Sequence, residues 1–134
     1  MTIRHAESKD YLWLKKHDNH IPGEVLETKI AAKEIYVVEE EKELAGWLRY
    51  SLFWDKIPFM NLLFLLEEYR RKGKGKKLVH HWEEDMKEKG YENVLTSTQS
   101  DEEAQHFYRK MGYKEIGGFK YPDQPLEIIF HKKI

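Results

Sequence analysis

The chain has 134 residues, is 40% hydrophobic and 35% charged, and carries a formal net charge of -1. That length suits one domain, residues 1–134, built on one core, and the near-neutral charge argues against a dedicated nucleic-acid binder. There is no cysteine, so there is no disulfide and no thiol nucleophile, a composition that suits the cytoplasm. No apolar run approaches the roughly 20 residues that span a membrane. The first residues, Met1 to His5, lack the apolar core of a signal peptide.

In chain order, Thr2 to His5 reads as a first strand. Ser8 is a helix cap for a helix running to about His17, with Tyr11, Leu12 and Leu14 apolar. Asp18, Asn19 and His20 form a turn. Pro22 suits the first position of a second helix, which carries Val25, Leu26 and Ile30 and ends near Lys33. Ile35 to Val38 and Leu44 to Phe53 are β-rich, and the acidic Glu39–Glu43 segment between them reads as a solvated hairpin loop. Pro58 interrupts, and Phe59 to Leu66 is the next strand. Its end, Leu62 to Leu66, is a continuous apolar run of the kind that forms a buried strand.

A basic turn follows that strand. Arg70, Arg71, Lys72, Lys74, Lys76 and Lys77 crowd the start of a helix whose apolar positions are Leu78, Val79, Trp82 and Met86, and which stops at Gly90. Cations at a helix N-terminus oppose the helix dipole, so something negative should compensate them. Unpaired backbone N–H groups of the first turn, together with Gly73 and Gly75, would let an anion approach closely. These features describe a phosphate or pyrophosphate site; the plainer reading is a solvated basic helix start. GxGxxG fails because position 78 is Leu78, and GxxxxGK[ST] fails because no Gly-Lys here precedes Ser or Thr. What fits is (Gln/Arg)-x-x-Gly-x-(Gly/Ala), as Arg70, Gly73 and Gly75.

Asn93 to Thr98 reads as a further strand. From Ser100 a helix runs with Ala104, Phe107, Tyr108 and Met111 on one face, a capping box of Ser100 with Glu103, and Gly112 as its stop. Lys114 to Ile116 and Leu126 to His131 are two closing strands, separated by a loop containing glycine and proline.

The first motif resembles the acetyl-coenzyme A signature of the Gcn5-related N-acetyltransferase family. The second stretch resembles that family's Asn-x-x-Ala-x-x-(Phe/Leu)-Tyr-x-Lys-x-Gly-(Phe/Tyr). Ala104, Phe107, Tyr108, Lys110, Gly112 and Tyr113 match, while Asp101 stands where the Asn is usual. The resemblance implies an α+β fold: a mixed, mostly antiparallel twisted sheet flanked by helices, with the cofactor between two splayed central parallel strands, here Phe59–Leu66 and Asn93–Thr98. It implies acetyl-CoA as acyl donor, with direct attack by a primary amine on the thioester. No metal is expected, since the sequence has no HExxH and no Cys/His cluster. The backbone near Phe64 and Leu65 would then pair with the pantetheine arm like an added strand. Arg70, Arg71, Lys72, Gly73, Lys74, Gly75 and Lys76 would hold the pyrophosphate.

Tyr108 matches the tyrosine that serves the leaving sulfur as general acid, and an ordinary phenol pKa near 10 keeps it protonated at neutral pH. The competing reading of Tyr108 is a core aromatic. For the base, Glu67, Glu68 and a water chain stay open. His17, Asp18 and His20 lie where such enzymes often shape the acceptor pocket. His80 and His81 read as helix-surface or partly buried residues. The expected acceptor is a small-molecule or peptide amine, and a homodimer is an open expectation. Two other classes remain: a coenzyme A-binding sensor or scaffold without catalysis, and a basic-patch nucleic-acid module. The glutamate-rich helix after Trp82 does not suit the second.

Overall fold

The computed structural model describes residues 1–134. Seven strands form a mostly antiparallel sheet in the order β1-β2-β3-β4-β5-β7-β6, flanked by four helices. The strands are β1 (Thr2–His5), β2 (Ile35–Glu40), β3 (Glu43–Phe53), β4 (Ile57–Leu65), β5 (Asn93–Gln99), β6 (Lys114–Phe119) and β7 (Glu127–Lys133). The helices are α1 (Tyr11–His17), α2 (Gly23–Ala31), α3 (Lys74–Glu88) and α4 (Ala104–Lys110). No helix is long and apolar enough to cross a membrane. The expected mixed α+β class is what the chain forms. It gathers into two compact units: Met1–Tyr50 with Leu62–His81, and Ser51–Asn61 with Trp82–Ile134.

In the first unit, β1 and β3 flank β2, both antiparallel to it. Ile35, Tyr36, Val37 and Val38 are fully buried, as a strand covered on both faces requires. Ile35 and Val37 join Ala6, Leu14, Leu26 and Trp47 in one core cluster. Tyr36 turns the other way, against Tyr50 and His81. The acidic hairpin loop is tighter than the composition suggests. Only Glu41 and Lys42 lie outside the strands, at φ 52° and 68°, the two-residue turn whose twist matches its strands. Pro22 is the N-cap of α2, one position before its expected place, and the helix ends at Ala31. Glu7, not Ser8, caps the turn that leads into α1, and its N–H donates to Asp10.

In the second unit, β5 and β7 pair along their length and β6 adds to β7. Pro58 lies inside β4, where it was expected to interrupt it; its ring replaces one donor without ending the strand. β6 continues to Phe119, absorbing residues assigned to the loop. β4 and β5 are parallel, with register pairs only at Phe59↔Leu95 and Met60↔Thr96. α4 begins at Ala104 with Glu103 as N-cap and no side-chain cap, so the expected Ser100–Glu103 capping box is absent. Instead the Gln99 N–H donates to Glu102, and Gln105 donates to the Ser100 carbonyl. Gly112, at φ 94°, ends α4 as expected, and the Tyr113 N–H returns to the Tyr108 carbonyl.

Candidate active site

The basic turn belongs to the first unit. Glu67–Tyr69 make one 3₁₀ turn, Gly73 sits at φ 80° with open space where a Cβ would lie, and α3 starts at Lys74. Gly75 and Lys76 are therefore helical, where they were expected in the turn. The Lys77 N–H donates to the Gly73 carbonyl, the first bond of the helix, which leaves the N–H groups of the preceding residues outside the helical ladder. An anion there gains from those donors and from the dipole.

The cations divide into two sets. Arg70 is committed to the fold: Nε donates to the Leu65 carbonyl at 2.8 Å and Nη1 to Glu67 at 2.8 Å, and its guanidinium lies 4.9 Å from the Phe64 ring centroid. Arg71 also meets Glu67, at 3.3 Å, and Lys74 lies 3.5 Å from a Glu40 oxygen. Lys72, Lys76 and Lys77 are exposed. So Glu67, a candidate base, is the counter-ion of two arginines, and Arg70 holds the strand end in place.

The end of β4 is less buried than a continuous apolar run predicts: Phe64 is exposed and its leucine neighbours are half-buried. Here β4 lacks the register pairs with β5 that a central strand would make. On the other side it packs tightly. A Cβ on Gly46 of β3 would lie 2.3 Å from the Phe64 carbonyl, and the Leu66 N–H donates to Ala45. Backbone groups alternate along a strand, so Phe64 turns its carbonyl to β3 and Leu65 turns its own groups away. Of those, the carbonyl is taken by Arg70. That leaves the Leu65 N–H on the side turned away from β3.

Tyr108 belongs to the second unit. It is only 6% exposed, with ring centroids of Phe107, Tyr113 and Phe130 at 5.2, 5.7 and 6.4 Å. Burial pushes the phenol pKa up, and a hydrogen bond shared with Thr96 opposes the rise in part. The Thr96 hydroxyl donates to the Met60 carbonyl at 2.9 Å. Thr96, in the last register pair of β4 and β5, thus lies beside Tyr108. On the same face of β5, the buried Thr98 hydroxyl has no hydrogen-bond partner, an orphan of the kind a bound group would satisfy. Beside this, Glu83 accepts from Tyr113 at 2.7 Å and from Lys132 at 3.0 Å, which fixes the aromatic cluster around Tyr108.

Of the inter-helix residues, Asp18 is fully buried and accepts from Arg49 Nε at 2.7 Å and Trp47 Nε1 at 3.2 Å. Its own burial pushes the carboxyl pKa up. The Arg49 hydrogen bond and charge, with His20 and Trp47, outweigh that, and the pKa ends below the usual range. His17 stacks on Trp13 at 4.1 Å, and His20 is exposed. Asp18 is thus a structural anchor under β3. Glu68, His80 and His81 are exposed.

Sequence reasoning missed a second polar group. The Ser97 hydroxyl donates to Glu127 at 2.6 Å. Alternation puts Ser97 on the opposite face of β5 from Thr96. That face is an open, mainly apolar groove of about 880 Å³, lined by β3, β4, β5, β6 and β7 of the second unit. Nothing in the spacing of Ser97 and Glu127 signals their contact, because it depends on the register of β5 and β7.

Comparison with known proteins bears on this geometry. Residues 2–113 match the sequence profile of the acetyltransferase (GNAT) family. An uncharacterised N-acetyltransferase of Chlorobaculum tepidum is 28% identical over 92 residues, covering 69% of this chain and 57% of that protein. The chain therefore spans just over half the length of that curated relative. The crystal structure of Ard1 from Thermoplasma volcanium superposes with a TM-score of 0.86 at 18% identity, covering 99% of this chain and 97% of that one. PaiA N-acetyltransferase from Thermoplasma acidophilum, solved in complex with coenzyme A, gives 0.73 at 20% identity, covering 99% and 98%. At those identities the two structures establish a shared fold.

Proposed function

The chain belongs to the acetyltransferase (GNAT) family, and from that premise we propose that it is an acetyl-CoA-dependent N-acetyltransferase acting on a primary amine. The observation that carries this reading is the buried Tyr108 beside Thr96, whose hydroxyl donates to the Met60 carbonyl at the last register pair of β4 and β5. The orphaned Thr98 hydroxyl on the same face supports a ligand there. The Gly73 turn and the first turn of α3, with Lys72 and Lys76 exposed beside it, suit a pyrophosphate. Arg71 and Lys74 flank that site as ion pairs with Glu67 and Glu40, and Gly75 adds a helical N–H. Arg70 acts through Phe64 and Leu65.

The thioester supplies the activated acyl group. The acceptor enters as ammonium and loses one proton to solvent; its nitrogen then forms a bond to the carbonyl carbon and the carbon–sulfur bond breaks. Tyr108 gives its proton to the departing sulfur and regains one from the nitrogen side, so it ends as it began. Its raised pKa holds the proton until negative charge builds on sulfur. No covalent link to the protein is needed, which suits a chain without cysteine.

One pair of observations favours a second reading, a coenzyme A-binding protein without catalysis. Tyr108 is buried with its hydroxyl already bonded, and Asp101 stands where the family motif has Asn. Titration calorimetry with acetyl-CoA, followed by assay of thiol release with amines, separates the two. Binding with amine-dependent release supports the enzyme; binding without release under any amine supports the sensor. No binding at millimolar acetyl-CoA removes both.

A further inference from the structure

We propose that the open groove of the second unit seats the acceptor, and that the acceptor is a primary amine carried on an apolar body, with Glu127 receiving its ammonium group. This rests on the acyl-transfer reading above and adds the substrate class. The two faces of β5 have different neighbours. Thr96 faces Tyr108, while Asn93, Leu95 and Ser97 line the groove. Ser97 directly follows Thr96, so the groove comes level with Tyr108 along the strand, on the opposite face of β5. At that end Ser97 donates to Glu127 at 2.6 Å, and Glu127 shares its side of β7 with Ile129 and His131, which line the groove.

Away from that end the walls are mainly apolar, with Ser51, Asn61, Asn93 and His131 as their polar groups. Phe53, Trp54, Ile116 and Phe119 remain 41%, 72%, 60% and 52% exposed, more large apolar surface in one place than a solvated sheet face needs. The lining contains no Asp, Glu, Lys or Arg. Its far end is Asn93, which His131 contacts at 2.8 Å. From Asn93 to Ser97 is four residues of strand, about 13 Å. A volume near 880 Å³ is that of a small-molecule site. One carboxylate at one end and an uncharged apolar channel beyond it fit a monoamine with a hydrocarbon or aromatic body. A polyamine would carry a second charge into a channel whose lining has no carboxylate to pair it.

The test uses the full chain with acetyl-CoA and a series of straight-chain primary monoamines, with diamines of equal length. The expected result is a rise of about fourfold in kcat/KM per added methylene until the groove is filled. Each long diamine should fall at least tenfold below its monoamine. Glu127→Gln should raise KM for the amine at least tenfold with acetyl-CoA affinity unchanged, and Phe119→Ala should flatten the chain-length dependence. A flat series, a preference for diamines, or an unaltered Glu127→Gln overturns the proposal while leaving acyl transfer standing. Absence of acetyl-CoA binding overturns both. Sedimentation showing a dimer that Trp54→Glu dissociates without changing the amine series assigns the face to a second copy of this chain, and also overturns it.

Discussion

Tyr108 carries two roles that a single hydroxyl separates. Its ring fills the space between Phe107, Tyr113 and Phe130, and its oxygen reaches Thr96. Tyr108→Phe keeps the ring, so it should cost about 1 kcal/mol of stability, the worth of one hydrogen bond. Turnover should fall by roughly 10²–10⁴ if the phenol is the acid. Steady-state rates with chemistry shown to be limiting, alongside a melting curve, check this. An unchanged rate would make Tyr108 a core residue alone. Asp18 gives a prediction of the opposite kind, on stability. Its folded pKa is depressed, so its contribution is present above the unfolded value near 3.9 and is lost as pH falls below about 4. Asp18→Asn leaves Arg49 buried without its anion and should cost about 3–5 kcal/mol at neutral pH. The gap between wild-type and variant melting temperatures should close on acidification through that range. A gap that is constant from pH 7 to pH 3 would contradict the assignment. The family resemblance made Tyr108 legible in the sequence, but Asp18 read as part of a turn and of an acceptor pocket and not as an anchor, because its partners Trp47 and Arg49 lie some 30 residues away in β3.

At the level of elements, two glycines hold the strand–turn–helix segment in shape. Gly46 lets β3 approach the Phe64 carbonyl and the Leu65 side chain. Gly46→Ala forces those backbones apart and should cost about 1–3 kcal/mol. By displacing Phe64 and Leu65 it should also weaken acetyl-CoA binding, read by calorimetry on the folded variant. Gly73 is different, since no atom lies within 4 Å of its missing Cβ. There the cost of Gly73→Val is conformational, about 1–2 kcal/mol for a side chain held at positive φ. A tenfold or larger loss of acetyl-CoA affinity is expected with it; normal binding by a folded Gly73→Val would move the pyrophosphate elsewhere. The strand, turn and helix were readable from apolar spacing. What the spacing could not show is that Arg70 spends its donors on Leu65 and Glu67, or that Gly75 is already helical. Those follow from where the backbone turns at Gly73. The Ser100–Glu103 box failed for a related reason: Glu102 and Gln105 satisfy the loop in its place.

Across the whole molecule, the order of strands and helices follows from hydrophobic periodicity and two motifs, and the chain adopts the mixed sheet they imply. The groove beside Ser97 and Glu127 was not legible, because its apolar residues come from five strands whose registers only the fold sets. The central claim is that this chain transfers an acetyl group from acetyl-CoA to an amine. The most direct measurement is free-thiol release from acetyl-CoA by the purified chain, run with and without primary monoamines, with the product identified by mass. The account predicts release that depends on the amine and matches an equal amount of N-acetylated product. Bound acetyl-CoA with no amine-dependent thiol release across monoamines, polyamines, amino sugars and peptides would contradict it.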